Sequence, residues 1–349
     1  MKILINRSDA IGDSLLTLPI CRYLKEHFPN IEIIYVCSKR SQEVFSLIGD
    51  IDKVVLDDKS LSVVKRFCLL FQMLLKEKPD YYLYLGGGHL LSFISFLLRV
   101  PLRGGLQSKL SSFLFLNRGV RQSRSREPKH ESEWNLETLV PFDLVKGEIQ
   151  TIWNYPPTVH HDQFDSNFHF EVSKDQKLIV VHPGMTGHSL NWSSSNYAGF
   201  IKSLVLKLKE DSFKIVISYT PSDLRYVDPL KELLKDEDFY SSLVWFDGSV
   251  KGLKDYMHLL KKADLFIGPS TGTTHLASIL DVKTIGFYSP IKAQSVERWG
   301  PLKMKDLRRN WVFSPPRSSL HGGNDSQCMD MIKIEPVVDK ALEFLENEA

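Results

Sequence analysis

The chain has 349 residues, 43% hydrophobic and 25% charged, and its 44 basic and 42 acidic side chains leave a net charge of +2. That balance belongs to a soluble globular protein long enough for two domains, and it excludes a disordered chain, a collagen-like repeat and a disulfide scaffold. So small a positive surplus speaks against a nucleic-acid partner.

The first eighty residues alternate between two periods. Residues 2–6, 31–37, 53–56 and 81–85 read as strands, with apolar runs too continuous for a half-exposed sheet. Residues 15–24, 42–48 and 61–76 read as helices, and Pro19 marks either a kink or a displaced helix start. This alternation predicts a parallel sheet covered on both faces. From Leu102 to Trp134 the pattern breaks down, before a helix over 131–139. No long helix is evident over 147–173, where Pro156-Pro157 suggests a linker. The alternation restarts with strands at 178–182, 213–218, 243–246, 265–267 and 284–287. Helices are predicted at 195–209, 223–234, 253–262, 273–280 and 336–346. Two such halves predict two Rossmann-like domains facing each other across a cleft, with ligands at the carboxyl ends of the strands.

The four cysteines, Cys21, Cys37, Cys68 and Cys328, show no C-x-x-C spacing, which fits a reducing compartment. Cys21 and Cys37 lie in apolar segments and read as small buried hydrophobes. The apolar run after Met1 is cut short by Asn6 and Arg7, too early for a signal-peptide core. The most apolar stretch, 90–100, is too short to span a bilayer. A cytoplasmic protein is expected, at most peripheral on the inner face of the inner membrane. No H-x-x-x-H or H-E-x-x-H pair occurs, so no metal and no cofactor is expected.

Four segments carry candidate chemistry. After the first strand comes Arg7-Ser8-Asp9-Ala10-Ile11-Gly12-Asp13-Ser14, where Asp13 at a helix start reads either as a cap or as a general base. The second, residues 267–277, runs from strand through a turn of small residues into a helix. Ser270, Thr271, Gly272, Thr273 and His275 there suit a phosphate or pyrophosphate, although neither a P-loop nor a G-x-G-x-x-G pattern is present. The third, residues 182–192, offers Thr186, Ser189 and Asn191 as donors to phosphate oxygens. In the fourth, residues 218–223, Asp223 suits either ribose hydroxyls or a capping role. A basic run from Arg99 to Lys129, which includes Arg103, Arg121 and Arg124, contains a single acid, Glu127. Its alternation with Leu102, Leu106, Leu110, Phe113, Leu114 and Phe115 reads either as a solvated face or as a surface for an anionic, lipid-linked partner.

These segments resemble glycosyltransferase family 9, the bacterial lipopolysaccharide heptosyltransferases. The resemblance rests on residues 1–18 and 268–277, on Phe287-Tyr288-Ser289-Pro290 and Arg298-Trp299-Gly300-Pro301, on His130-Glu131 with Asn135-Leu136, and on Cys328-Met329 with Ile332. It implies a GT-B fold and an inverting, metal-independent transfer of heptose from ADP-heptose to a hydroxyl of the lipopolysaccharide inner core. It further implies an acceptor-binding domain over 1–160, a nucleotide-sugar-binding domain over 161–334 and a terminal helix over 335–349. Asp13 falls on the catalytic aspartate, and Thr271, Gly272 and His275 fall on donor positions. Asp223 lies near the acid that meets the adenosine ribose. Arg7, Arg103, Arg121 and Arg124 are the expected contacts to a lipid-linked anionic acceptor. Two departures stand out: Leu190 replaces a common Lys, and Ser270 replaces a common Asp. Either Ser189, Asn191 or the Thr273 N–H substitutes at the diphosphate, or the family-9-like enzyme uses another nucleotide sugar. The other readings are a non-catalytic nucleotide-binding module, a sugar-nucleotide epimerase, and an NAD-dependent oxidoreductase, whose G-x-G-x-x-G is missing.

Overall fold

Strands whose residues are apolar at nearly every position need helices on both faces, and the chain builds two parallel six-stranded sheets of this kind. The computed structural model describes residues 1–346 apart from 125, 128, 148, 150–155, 161–169, 188, 210, 303–305 and 320–324. The chain divides into two compact units, Met1–Gln163 and Phe164–Ala349.

In the first unit, the sheet contains β1 (Lys2–Arg7), β2 (Glu32–Cys37), β3 (Lys53–Leu56), β4 (Tyr81–Gly86), β5 (Leu102–Leu106) and β6 (Arg118–Val120). Their order is β3-β2-β1-β4-β5-β6. The helices are α1 (Ile11–Leu15), α2 (Leu18–His27), α3 (Gln42–Phe45), α4 (Val63–Glu77), α5 (Leu90–Leu97), α6 (Leu110–Phe115) and α7 (Glu131–Glu137). Pro19 stands in the first turn of α2, where its missing N–H is harmless, so it marks a new start and not a kink. Cys21 and Cys37 are fully buried, as their surroundings in the sequence suggest.

The stretch from Leu102, where no pattern is legible in the sequence, holds β5, α6 and β6. These are short elements of three to six residues at the edge of the sheet. Gly104 and Gly105 lie in β5 because a Cβ at Gly104 would enter the Phe142 ring and Gly105 takes φ +137° against Tyr84. Glycine thus replaces the apolar signal that marks an ordinary strand.

The second unit repeats the winding. Its strands are β7 (Lys177–Val181), β8 (Phe213–Tyr219), β9 (Val244–Asp247), β10 (Leu265–Pro269), β11 (Lys283–Phe287) and β12 (Asn310–Phe313), in the order β12-β11-β10-β7-β8-β9. Its helices are α8 (Ser194–Lys207), α9 (Leu224–Leu234), α10 (Gly248–Lys251), α11 (Leu253–Lys262), α12 (Gly272–Ile279), α13 (Val296–Trp299) and α14 (Ile334–Glu346). Val337, Val338, Ala341, Phe344 and Leu345 of α14 join the core formed by Trp192, Phe200 and Ile201, so this helix belongs to the second unit's interior.

In each unit the strand order reverses once, between β1 and β4 in the first and between β7 and β10 in the second. Connections leave in opposite directions at such a point and open a crevice at the carboxyl ends of the strands. The Arg7–Ser14, 182–192 and 267–277 segments all begin at those ends.

Candidate active site

In the first unit, β1 delivers Arg7 into the interior and α1 presents Asp13. The register between β1 and β4 slips at this point and sets Arg7 opposite Gly86. The Arg7 guanidinium reaches Asp9 at 2.7 Å and Asp13 at 2.8 Å and also donates to the Leu85 carbonyl. Its side chain is 8% exposed, and that of Asp13 is 28% exposed. Ala10 occupies the N-cap of α1 and no side chain caps the helix, so Asp13 is an ion-paired carboxylate and not the cap. Burial raises the Asp13 carboxyl above the ordinary aspartate range; Arg7 opposes this, while Asp9 and Glu131 reinforce it. Glu131 itself is buried and paired with Arg124. Asn135 of α7 donates to the Leu16 carbonyl at 3.3 Å, anchoring that helix beside α1 and α2. Two cations and three carboxylates therefore share one locus, and only Asp9 and Asp13 keep substantial access to solvent.

The loop is held from the other side by glycines. A Cβ at Gly86 would lie 2.7 Å from Asp9 Oδ2, and Gly87, at φ +93°, would press into the Ser8 backbone. Ser8 donates to Asp57 at 3.1 Å, and Arg66 grips the same carboxylate with two bonds of 2.9 Å. Sequence reasoning passed over Gly86-Gly87-Gly88 and assigned no role to Glu131. A triple glycine directly after a strand was the available signal.

In the second unit, the end of β10 turns through Ser270 and Thr271 into α12. Thr271 occupies the N-cap, but its hydroxyl meets Thr273 Oγ1 at 2.7 Å and caps nothing. Among the described residues the first N–H groups of α12 therefore lack a side-chain cap, and the helix end attracts an anion. A buried chain runs from His182 Nδ1 to Ser218 Oγ at 3.1 Å and on to Tyr256 Oη at 3.2 Å. Burial lowers the His182 pKa, while Asp223 opposes the shift. His275 is buried within α12.

The remaining candidates divide. Ser189 Oγ is buried and has no hydrogen-bond partner among the described residues. Thr186 is exposed, next to Gly187 at φ +89°. Asn191 is committed to its own loop, donating to the Pro183 carbonyl at 2.7 Å and accepting from Tyr197 at 3.3 Å. Leu190 packs against the core. Asp223 accepts from the Thr220 N–H and hydroxyl at 2.8 and 2.7 Å, and it is nearly fully buried against Gly184. That arrangement is the capping role. His188 lies outside the described residues.

Of the four arginines expected to meet an acceptor, three are engaged inside the fold. Arg7 and Arg124 are ion-paired as described, and Arg103 donates to the Val100 and Phe115 carbonyls. A guanidinium bound in this way positions backbone and carboxylates and does not offer its full fork to a ligand. Arg121 is exposed, 5.1 Å over the Phe113 ring. Among the described residues no group of three or more His, Cys, Asp or Glu side chains is placed to hold a metal ion.

The sequence profile of glycosyltransferase family 9 (heptosyltransferase) matches residues 67–311. The chain belongs to that family. The protein is therefore a glycosyltransferase. A Haemophilus influenzae protein whose name goes no further than glycosyltransferase is 27% identical, the match covering 99% of this chain and 97% of that one. The lipopolysaccharide core heptosyltransferase OpsX of the same organism is 20% identical over 96% of this chain and 94% of its own. The structure of the ADP-heptose lipopolysaccharide heptosyltransferase II of E. coli superposes with a TM-score of 0.74 at 16% identity, covering all of both chains. That likeness establishes the GT-B fold for this family 9 glycosyltransferase. Membership of the family sets aside an oxidoreductase.

Proposed function

We propose that this family 9 enzyme is an inverting, metal-independent transferase that moves heptose from ADP-heptose onto a hydroxyl of the lipopolysaccharide inner core, a lipid-linked, anionic acceptor met at the cytoplasmic side of the membrane. The observation that carries the reading is Asp13, a partly exposed carboxylate at the carboxyl end of β1 whose pKa burial has raised. A raised pKa makes an ionised carboxylate a better proton acceptor. Asp13 takes the proton of the acceptor hydroxyl as that oxygen attacks the anomeric carbon. The bond from that carbon to the diphosphate oxygen breaks, and its electron pair leaves with the nucleotide. Inversion follows from attack opposite the leaving group.

The departing diphosphate gains negative charge. The uncapped N–H groups of Gly272, Thr273 and Thr274 and the hydroxyls of Thr271 and Thr273 are the donors we assign to it. The Ser270 N–H donates to the Phe287 carbonyl at 3.0 Å and fixes this turn, and His275 is buried within α12. Ser189 supplies one more donor, and Thr186 lies on the same loop. Asn191 holds that loop in place, and Asp223 caps the turn at Thr220 against Gly184. Arg121 is the acceptor contact with a guanidinium free of ion pairs among the described residues. A second reading, the same chemistry with another nucleotide sugar, is favoured by Leu190, which brings no cation to the donor loop.

Purified protein incubated with ADP-heptose, UDP-hexoses and GDP-hexoses and a heptose-deficient inner-core acceptor tests the proposal. The expected result is transfer from ADP-heptose alone, with anomeric inversion and persistence in chelator. Transfer only from a UDP- or GDP-sugar would establish the second reading, and absence of transfer from every donor would refute both. Ser189→Ala provides a sharper check at the donor loop. Removing an unpartnered buried hydroxyl should leave thermal stability of the free protein unchanged or slightly higher. Loss of one ligand hydrogen bond should weaken nucleotide binding about fivefold. Calorimetry that found affinity unchanged would remove Ser189 from the donor site.

A further inference from the structure

Among the described residues, ten of the eighteen exposed large apolar side chains lie on just three helices of the first unit: four on α4, three on α5 and three on α6. Leu110 and Leu114 are 77% and 61% exposed, and Phe93, Phe96, Leu97 and Phe113 accompany them. The helices are neighbours. Phe115 of α6 packs against Phe93 and Phe96 of α5 at 5.4 and 5.7 Å, and Phe93 approaches Phe67 of α4 at 6.5 Å. Apolar side chains so exposed and so adjacent mark an interaction surface, because an ordinary protein surface scatters them singly.

The charge around this face has one sign. Between Asp80 and Glu127 the sequence contains no acid and seven arginines and lysines. Arg99, Lys109, Arg118 and Arg121 are exposed and form no ion pair among the described residues; pairing begins at Arg124 with Glu131. A cavity of about 330 Å³ opens on the same face, lined by Phe96, Leu97, Arg99 and Arg103. Apolar side chains flanked by cations that can extend past them suit the boundary between acyl chains and charged headgroups. A second copy of the chain suits the face poorly, since a twofold contact would set the same cations against each other.

We propose that the exposed face of α4, α5 and α6 is a docking surface for an anionic phospholipid bilayer, with Phe96, Leu97, Leu110 and Leu114 entering the interface and Arg99, Lys109 and Arg118 meeting lipid phosphates. No helix among the described residues is long and apolar enough to cross a membrane, so the contact is peripheral. The proposal rests on the reading of a lipid-linked acceptor for its purpose, because docking would bring the enzyme to the plane where such an acceptor lies. Its test does not depend on that reading.

Flotation of the full chain with vesicles of phosphatidylethanolamine and phosphatidylglycerol, and with vesicles of phosphatidylcholine, measures docking without any donor or acceptor. Binding to the anionic vesicles should exceed binding to the neutral ones at least tenfold and should weaken with salt. Leu110→Asp with Leu114→Asp should reduce it at least tenfold, and Arg99→Gln with Arg118→Gln about fivefold per charge removed. All four side chains are exposed, so the melting temperature of both variants should match the parent. The leucine double variant should also retain transfer to a delipidated acceptor. Equal binding to both kinds of vesicle, or undiminished binding by the leucine variant, would overturn the proposal. So would a concentration-dependent dimer that this variant abolishes without any vesicle binding by the parent. Should sugar transfer fail while vesicle binding behaves as stated, the assigned function falls and the docking surface stands.

Discussion

Asp13→Asn is expected to lower kcat for sugar transfer by roughly 10²–10⁴-fold, the usual worth of a positioned general base. Nucleotide affinity should stay within about twofold, because the lost interaction forms only as the proton moves. The amide keeps the shape of the carboxylate, and Arg7 keeps its bonds to Asp9 and Leu85, so a folding defect is not the expected cause. The pH profile supplies a second test. Burial holds the Asp13 carboxyl above the ordinary aspartate range, with Arg7 pulling it down. The base works only when ionised, so kcat/KM should fall as pH drops through this raised pKa. In Arg7→Gln the lowering influence is gone, and the acidic limb should move to higher pH. Initial rates across pH for parent and both variants decide the matter. A parental rate in Asp13→Asn, or an acidic limb indifferent to Arg7, would remove Asp13 from the mechanism.

Trp192→Ala should cost about 3–5 kcal/mol of the second unit's stability, the range for truncating a fully buried large aromatic residue. Trp192 has no exposed surface and lies 4.5 Å from the Phe287 ring and 5.3 Å from that of Tyr197. Its indole N–H donates to the Ile332 carbonyl at 3.1 Å, tying the 182–192 loop to the segment before α14. Truncation leaves a cavity and an unpaired buried carbonyl together. At about 2–4 °C per kcal/mol for a unit of this size, its melting transition should fall by roughly 10 °C. The first unit, with its own core, should melt as before, so calorimetry should show one transition moving and the other fixed. Trp192→Phe, which keeps most of the packing and loses the hydrogen bond, should fall between the two. Donor affinity in Trp192→Ala should drop as well, since the loop carrying Thr186 and Ser189 begins to unfold with its anchor.

Much of this was legible in the chain. The strands of both sheets, apart from β5, β6 and β12, announce themselves as apolar runs because parallel strands are buried on both faces. The helices with long apolar stripes, α4 and α11 among them, follow from their period. Asp13 and the turn at 270–273 stand out because strand, small residues and helix occur in direct succession. What stayed hidden has equally physical causes. β5 and β6 are short, at the sheet edge, and use glycine where a strand would normally show branched apolar residues. Asn191 and Asp223 look like ligand donors because a polar residue at a strand end has the same spelling whether it meets a ligand or braces its own loop. Leu190 is the reverse case: a departure from the family's Lys that the fold uses as a core contact.

The apolar period by itself determined the doubly wound class, and the resemblance of particular motifs pointed to the family. The first depends on which residues are apolar and in what sequence they come, the second on the residues at the strand ends. Only the tertiary structure decided which charges are free. Arg7, Arg103 and Arg124 read like Arg121 in one dimension, yet three are bound to carbonyls or carboxylates and one is open to solvent. It likewise decided that Asp13 is paired and partly buried while the α12 N-terminus is left uncapped. The Arg7 bond to the Leu85 carbonyl and the close approach of Gly86 to Asp9 join residues far apart along the chain, and local sequence does not encode such distances.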